Sequence, residues 1–293
     1  MKITDRIHAL KIQFKVPVSP ELSVDRFAFI YLIFAEKIHL IDSGIAGAES
    51  EIWEYIKRQG REPDEITNLI LTHSHPDHIG AAKNIKSQTG CTIFAHKSDQ
   101  NWIEDTEKQF KERPVPGFHK LVEGSVKVDR LIDGGESIEL EKDIIFKIIH
   151  TPGHSKGSIS LLYEGEKSLF TGDALPYPGD LPIYEDISAS FLSIGSLRKV
   201  KKVDYLFSSW ESPIQGRKEI GERMEKSIAY LRRIHDAVIE AGSYEDRQDI
   251  MELCKNVVKK LGLPPSAVNP LVAGAFASSL EAEQNKMDLR AID

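Results

Sequence analysis

The chain has 293 residues, of which 41% are hydrophobic and 28% are charged, values that are typical of a globular protein. This length allows one large domain, or one domain with an appendage. The 45 acidic residues outnumber the 38 basic residues and give a net charge of −7, which argues against a non-specific nucleic-acid surface or a surface for anionic membranes. We therefore expect neither nucleic acid nor membrane among its partners.

The cysteines and the N-terminus point to a reducing compartment. The two cysteines, Cys91 and Cys254, do not make a disulfide framework, and we expect both thiols to be buried and reduced. The first residues lack the long apolar core of a signal peptide. No stretch approaches the roughly 18 apolar residues of a membrane-spanning helix. The sequence thus predicts a cytoplasmic protein without a membrane segment.

The first part of the chain combines strand and helix patterns. In chain order, it predicts a strand over 7–18, a hairpin over 27–34 and 38–41, an amphipathic helix over 48–59, a buried strand over 66–71, a helix ending near Thr89, a strand over 91–96, and a polar helix of about a dozen residues capped by Ser98. Residues 113–125, rich in Pro and Gly, are expected to form a loop near the site rather than part of the core.

The second part is first rich in strands and then helical. Strands are predicted over 126–132, 137–149, 157–163, 167–171 and 205–208, and helices over 187–203, 217–241, 246–261 and 270–287. The order is therefore β-rich, then α/β, twice over, followed by a helical tail. Two sheets packed face to face, with helices outside, would bury this set.

A dense cluster of metal-binding residue types occupies the run Thr72-His73-Ser74-His75-Pro76-Asp77-His78-Ile79-Gly80. His73 and His75 are two positions apart, so their side chains point the same way on an extended backbone. Asp77 lies where a helix N-cap is expected, and His78 is expected to start the helix. Imidazole and carboxylate ligands suit zinc, and also iron or manganese. A histidine-rich surface loop is the alternative, but the strand–turn–helix context favours a metal site.

Two further candidate ligands follow strands in the second half. His154 comes at a sharp Thr151-Pro152-Gly153 turn, and Asp173 follows an apolar strand directly. Gly172 would let the backbone at Asp173 approach another segment closely. Taken alone, Asp173 could equally be an ordinary turn cap.

Together these motifs resemble those of the metallo-β-lactamase superfamily, in the glyoxalase II-like branch of metal-dependent hydrolases. The matching pieces, which agree in order and separation, are Ile41-Asp42-Ser43-Gly44, Thr72 to Gly80, Thr151-Pro152-Gly153-His154 and Thr171-Gly172-Asp173. The resemblance implies an α+β fold, a four-layer αββα sandwich over residues 1–215, with residues 216–293 as a helical C-terminal extension packed on it.

The resemblance also implies a set of metal ligands. His73, His75 and His154 would hold one metal, Asp173 would bridge to a second, and Asp77 and His78 would belong to that second site. The family usually supplies a final histidine after a late strand.

Trp210 stands where that final histidine is expected, and an indole offers no lone pair to a metal. The site then holds one metal, or two with water or Glu211 completing the second, or it has lost its chemistry. We expect a weakened second site that still binds metal.

The expected chemistry is hydrolysis. Zinc lowers the pKa of its bound water to about 7, which provides hydroxide to attack an ester, thioester or lactone carbonyl. Asp77 would orient the nucleophile and carry its proton. Asp42 is expected either to orient a ligand by a hydrogen bond or to be a strand-end turn cap. Three alternatives stay open: a non-catalytic metal-binding module, a phosphodiesterase and an iron-dependent redox enzyme.

The substrate is expected to be a small molecule, and three side chains are candidates to contact it: Tyr177, Tyr184 and His119. Surface packing is the alternative for both tyrosines. Arg223 and its basic neighbours on the first tail helix alternate with glutamates, which favours an ion-paired, solvated face. The small apolar run 271–277 is a candidate cleft cap or homodimer contact.

Overall fold

The structure is a computed structural model that describes residues 1–17, 23–242 and 249–285. Two six-stranded sheets face each other, and helices cover their outer faces. The strands are β1 (Ile7–Pro17), β2 (Ser23–Phe34), β3 (Ile38–Ile41), β4 (Ile66–Ile70), β5 (Thr92–His96), β6 (Arg130–Ile132), β7 (Ser137–Glu141), β8 (Ile144–His150), β9 (Ile159–Tyr163), β10 (Ser168–Gly172), β11 (Tyr205–Ser208) and β12 (Ile214–Gln215). The helices are α1 (Glu49–Arg58), α2 (Pro76–Ile79), α3 (Ala82–Thr89), α4 (Gln100–Glu104), α5 (Thr106–Glu112), α6 (Phe118–Leu121), α7 (Ile187–Arg198), α8 (Arg217–Ala241), α9 (Ile250–Leu261) and α10 (Pro270–Gln284).

The first sheet runs from β1 to β6 in sequence order, and the second has the order β12-β11-β10-β9-β8-β7. Side chains alternate across the pleat. On β2, Phe29 and Tyr31 face the second sheet, whereas Ile30 and Leu32 face the helices. Strands β3 and β4 are parallel, so their carboxyl ends lie at the same edge of the sheet. That edge holds the histidine cluster.

Among the described residues, three buried apolar clusters separate four layers. One lies between the sheets and contains the stacked rings of Phe170 and Phe207, whose centroids are 4.6 Å apart. The second joins the first sheet to α1 and α3, with Ile52 and Ile85 fully buried. The third joins the second sheet to α7, α8, α9 and α10. The αββα sandwich expected from the sequence is confirmed.

The C-terminal helices share their core with the second sheet. In the run 271–277, Val272, Ala273, Ala275 and Phe276 are buried. This run is therefore used in packing within the chain rather than left as an exposed patch. Among the described residues, no helix combines the length and the apolar character needed to cross a bilayer.

Several predicted element boundaries were wrong. The polar helix expected after Ser98 is two short helices, because Asp105 leaves helical geometry at φ −141° and its side chain accepts a hydrogen bond from the Lys108 amide to start α5. The strand expected over 137–149 is a hairpin that turns at Asp143, where φ is +68°.

Other corrections concern elements that are shorter than predicted. Within 126–132 only β6 pairs with another strand, and α7 ends at Arg198. The stretch 113–125 contains α6, whose Phe118 and Leu121 are buried in the core. Parts of the predictions for residue 18, 246–248 and 286–287 lie outside the described residues.

Helix α2 also begins earlier than the sequence indicated. Pro76 occupies its first turn and His75 is the N-cap residue, with no side-chain capping bond. The expectations that Asp77 is the N-cap and that His78 starts the helix are therefore wrong. Proline takes the first position because it has no amide hydrogen to satisfy there.

Candidate metal centre

The site forms where both sheets end, and backbone hydrogen bonds hold the two ends together. The Ile159 amide donates to the Thr72 carbonyl at 2.9 Å, and the Phe29 amide donates to the Ser209 carbonyl at 2.8 Å. A Cβ on Gly172 would lie 2.7 Å from the Thr72 Oγ1, and its φ is +49°. Only glycine permits this approach without strain, as expected from the sequence.

Three imidazoles form a first group of metal-capable side chains. His73, His75 and His154 each place one ligand atom within 4.8 Å of the others. The His75 Nδ1 and the His154 Nε2 lie 2.8 Å apart. The His154 Nδ1 donates to the Ile183 carbonyl at 2.8 Å, which turns the Nε2 lone pair toward the other rings. These rings come from two loops on different sheets.

A second group combines His73, His78 and Asp173, again within 4.8 Å. The Asp173 Oδ1 is 3.4 Å from the His78 Nε2, and its Oδ2 is 3.2 Å from the His154 Nε2. Asp173 therefore faces both groups with different oxygens. The Asp77 Oδ2 lies 3.7 Å from the His78 Nε2, on the side of the second group.

The donor atoms fit a divalent metal. The Nε2 atoms of His73 and His78 and the Oδ1 of Asp173 are buried without a hydrogen-bond partner among the described residues. Buried polar atoms are normally paired, so a cation would satisfy them. Burial lowers the pKa of His73 and of His75 well below the usual value, which keeps the rings neutral and their lone pairs available.

In the second group, the pKa of the histidine is shifted in the opposite direction. Burial lowers the pKa of His78, but the carboxylates of Asp173 and Asp42 outweigh that effect and raise it well above the usual value. Burial alone would raise the pKa of Asp173, yet His78 and His154 hold it well below its usual range. An ionised carboxylate therefore lies between the two groups of histidines.

Asp42 orients the second group through three hydrogen bonds. Its carboxylate faces the His78 Nδ1 at 2.8 Å and accepts from the Thr72 amide at 2.7 Å and the Thr72 Oγ1 at 2.8 Å. Asp42 adopts a left-handed backbone with φ +62°. Its carboxylate thus makes the ligand-orienting contact that the sequence left as one of two interpretations.

Replacing Asp42 with asparagine is expected to weaken metal binding. Asparagine tolerates the left-handed backbone, but its amide cannot accept from every donor that Asp42 now serves. Loss of such an outer hydrogen bond lowers metal affinity about 10- to 100-fold, which a chelator-competition titration would measure. Asp143→Asn is the matched control, since Asp143 is also left-handed, at φ +68°. Unchanged affinity in Asp42→Asn would reduce Asp42 to a turn cap.

Asp99 joins the two metal-binding loops, although no pattern in the sequence indicated this. Its carboxylate accepts from the Ser74 amide at 2.8 Å, the Ser155 Oγ at 3.0 Å and the Gly157 amide at 2.9 Å. Ser74 lies between two of the histidines, and Ser155 follows the third. Asp99 comes from a separate segment after β5, so only the folded chain brings it there.

Trp210 packs against a guanidinium group. The Arg26 guanidinium lies 4.3 Å from the centre of the Trp210 ring and forms a bidentate ion pair with Asp180 at 2.7 and 2.8 Å. Its charge also interacts with Asp77 and Asp173. Arg26 was not selected from the sequence, because nothing in β2 indicates its proximity to a loop so distant along the chain.

The Glu211 carboxylate is hydrogen-bonded to Arg223 and Ser208. Its Oε1 accepts from the Arg223 Nε at 2.5 Å and from the Ser208 Oγ at 3.1 Å. Arg223 is buried and also donates to the Leu175 carbonyl. Arg223 is therefore ion-paired, as expected, but the expectation that it lies on a solvated face is wrong. The structure also gives no support to Glu211 as a metal ligand.

The three candidate substrate contacts have different surroundings. Tyr177 is 44% exposed, with the Arg223 guanidinium 5.4 Å from its ring centre. Tyr184 is only 5% exposed, and its hydroxyl faces the Ser279 Oγ at 3.3 Å. It therefore packs against α10. His119 is exposed and its Nδ1 lies 3.5 Å from the Glu107 carboxylate.

Arg113 is a further site residue that the sequence did not single out. It follows α5, where Gln109 donates from its Nε2 to the Ser74 carbonyl at 2.6 Å. Burial lowers the pKa of Arg113, and its charge interacts with Glu185, Asp77 and Asp173. The loop predicted to lie near the site thus begins with a guanidinium group next to it.

The four layers and the paired histidine–carboxylate groups define a metal-binding αββα protein. Residues 24–210 match the sequence profile of the Metallo-beta-lactamase superfamily. The chain belongs to this superfamily of metal-dependent hydrolases.

Relatives agree with this assignment. A probable metallo-hydrolase of Methanocaldococcus jannaschii is 33% identical over 210 residues, which are 69% of this chain and 92% of that protein. A hydroxyacylglutathione hydrolase of Pelagibacter ubique is 29% identical over 133 residues, 45% of each chain. The matched part thus spans about half the length of the latter protein.

A solved structure supports the same fold over nearly the whole chain. A metallo-beta-lactamase family protein from Thermus thermophilus superposes with a TM-score of 0.72 at 17% identity, and the match covers 96% of this chain and 95% of that protein. At this identity, the likeness establishes the fold alone. The match extends over the C-terminal helices as well as the sandwich.

Proposed function

We propose that this chain hydrolyses an ester, thioester or lactone of a small molecule, with His73, His75, His154 and Asp173 holding a divalent metal. The observation that supports this most strongly is the convergence of buried, unpaired histidine nitrogens on one ionised carboxylate among the described residues. A bound divalent metal lowers the pKa of a water molecule and polarises a carbonyl. The similarity to hydroxyacylglutathione hydrolases supports a thioester as the first substrate to test.

Asp77 is proposed as the catalytic residue. Its carboxylate lies at the edge of the second group, 3.7 Å from the His78 Nε2, and burial raises its pKa. A carboxylate with a raised pKa is a better proton acceptor near neutral pH. Asp77 would orient the attacking water and accept its proton. If the second site is filled, Asp77 becomes a metal ligand.

Metal content and turnover together test this function. The purified protein is loaded separately with Zn²⁺, Fe²⁺ or Mn²⁺, since imidazole with carboxylate suits each of them, and the bound metal is counted by elemental analysis. We propose zinc as the native ion. Each form is then assayed on a simple aryl ester, a thioester and a lactone. Stoichiometric metal without turnover of any substrate would favour a non-catalytic metal-binding module.

We further propose that Trp210 weakens the second metal site. Supporting observations are that the indole supplies no ligand atom and that the Arg26 guanidinium stacked on it already interacts with Asp77 and Asp173. A fixed positive charge near these carboxylates would repel a second cation. The second site would then keep Asp77, His78 and the bridging Asp173, with reduced affinity.

Trp210→His is expected to raise metal content from about one to about two ions per chain, because the new imidazole adds a ligand beside Asp77 and His78. Elemental analysis after dialysis measures the change. Trp210→Phe is the matched control: it keeps an aromatic ring for Arg26 and adds no ligand, so its metal content should equal that of the wild type. No increase in Trp210→His would mean that Trp210 does not occupy the expected ligand position.

Three further features remain proposals. We propose that residues 1–215 form the metal-binding domain and residues 216–293 its helical extension. A homodimer through the C-terminal helices would have to use faces other than the apolar side of 271–277, which is largely buried. A cytoplasmic location is compatible with the buried, free thiols of Cys91 and Cys254.

A further inference from the structure

We propose that Arg113 binds an anionic group of the substrate, a carboxylate or a phosphate, beside the metal centre. This inference rests on the proposed hydrolase function and names the class of substrate: an acyl compound that carries a negative charge away from the bond that is cleaved.

Helix α5 is hydrogen-bonded to the metal-binding loop, and Arg113 directly follows the last residue of this helix. The Gln109 Nε2 donates to the Ser74 carbonyl at 2.6 Å in a buried contact, and the Arg113 amide donates to the Gln109 carbonyl at 2.7 Å. Ser74 lies between His73 and His75 in the chain. Two consecutive hydrogen bonds therefore connect the backbone of Arg113 to the loop that holds the metal-capable histidines.

The Arg113 guanidinium has no partner within the part of the chain that the structure describes. It makes no side-chain hydrogen bond there, and no carboxylate lies within 4.0 Å of it. Arg26 and Arg223, which also lie near the site, each have a carboxylate partner, Asp180 at 2.7 Å and Glu211 at 2.5 Å. Arg113 thus differs from them in keeping its five donor hydrogens available.

A partly buried guanidinium without a partner is costly, because burial removes water from a charge. An anionic ligand would offset this cost and could use the paired donors of the guanidinium in a bidentate contact. The charges of Glu185, Asp77 and Asp173 interact with Arg113, but none of these carboxylates lies within 4.0 Å of its guanidinium. Asp77 and Asp173 instead face His78 and His154 at 3.2 to 3.7 Å. Their role at the metal centre leaves Arg113 free for the substrate.

A cleft lies beside Glu112, the residue before Arg113. It has a volume of about 190 Å³ and is bordered by two lysines and three carboxylates, namely Lys108, Lys156, Asp99, Glu112 and Glu185. Glu185 is the carboxylate whose charge interacts most with Arg113, and its amide donates to the Gly153 carbonyl at 2.7 Å, in the turn that presents His154. Lys156 of the His154 loop borders the cleft, and so does Asp99, whose carboxylate accepts from the Ser74 amide of the other metal-binding loop. The cleft therefore lies close to both loops.

The test compares three thioesters of N-acetylcysteamine that differ only at the end of the acyl chain: butyryl, succinyl and 3-phosphonopropionyl. The zinc-loaded wild type is expected to prefer one or both anionic thioesters over butyryl. Arg113→Met, which keeps the chain length without the charge, should raise KM for the preferred anionic substrate about 10- to 100-fold, as expected for a lost charged hydrogen bond. Its KM for the butyryl thioester should change much less than its KM for the preferred anionic substrate.

Two further variants sharpen the result. Arg113→Lys should recover part of the preference, because it restores the charge without the bidentate geometry. Arg58→Met is the matched control, since Arg58 is 63% exposed and pairs with Glu54 on the surface. Equal losses on charged and neutral thioesters in Arg113→Met, or no loss on either, would overturn the proposal.

A binding measurement distinguishes failure of the hydrolase proposal from failure of the anion-site proposal. If the zinc-loaded wild type cleaves none of the three thioesters, calorimetric titration with succinate still tests Arg113 without catalysis. Weaker succinate binding by Arg113→Met than by wild type supports the anion site, and equal binding overturns it.

Discussion

Replacing His154 with alanine is expected to remove the metal from the first group of ligands and to reduce hydrolysis by more than about 100-fold. This loss exceeds the one expected when a residue that only hydrogen-bonds to a metal ligand is removed. His154 is the only histidine from the second sheet in the two metal-capable groups found among the described residues. Its Nε2 lies 2.8 Å from the His75 Nδ1 and 3.2 Å from the Asp173 Oδ2. Without it, the first group keeps only His73 and His75, which are two positions apart in one loop.

Metal content and thioester turnover should fall together in this variant. The matched control is His150→Gln, four residues earlier, because the His150 Nε2 pairs with the Lys156 carbonyl at 2.9 Å and a glutamine amide can donate to the same oxygen. The control should retain its metal. Normal metal content and turnover in His154→Ala would remove His154 from the ligand set.

Asp77→Asn is expected to lower kcat by about 10²- to 10⁴-fold, the range for loss of a general base. Asparagine keeps the shape of the side chain but removes its negative charge and its ability to accept a proton. Because the raised pKa of Asp77 comes first from burial, a neutral amide is tolerated there without a new desolvation cost. We therefore expect a folded protein with impaired chemistry.

Metal analysis of the same variant separates the two roles of Asp77. Unchanged metal content with reduced kcat indicates proton transfer, whereas loss of an ion indicates a ligand. Asp5→Asn serves as the control, since the Asp5 side chain is 97% exposed. A variant with wild-type kcat would rule out Asp77 as the base.

Local sequence patterns were sufficient to predict the metal-donor residues and most of the helices and strands. The run from Thr72 to Gly80 has a spacing that aims several ligands to one side of a turn, and this depends only on neighbouring residues. The loose alternation along residues 7–18 predicted the first strand for the same reason. Errors appeared where local signals were ambiguous: Pro76, rather than Asp77, begins α2, and Asp105 interrupts the helix predicted after Ser98.

Contacts between distant segments could not be predicted from such patterns. Asp99 bonds to two metal-binding loops, and Arg26 stacks on Trp210, although no spacing in the sequence relates these residues. Arg223 was expected on a solvated face, since its neighbours alternate in charge. It is buried because its partner is Glu211 on another segment, which a helix pattern cannot indicate.

The sequence by itself determined which atoms can bind a metal and which strands present them, because both follow from residue type and short-range periodicity. The tertiary structure alone decided which donors face one another, which charges are neutralised and which stay unpaired. Arg113 illustrates the difference: its identity is fixed by the chain, but its position beside the metal loop arises from the hydrogen bond between Gln109 and Ser74. Burial and charge compensation depend on segments that meet only after folding.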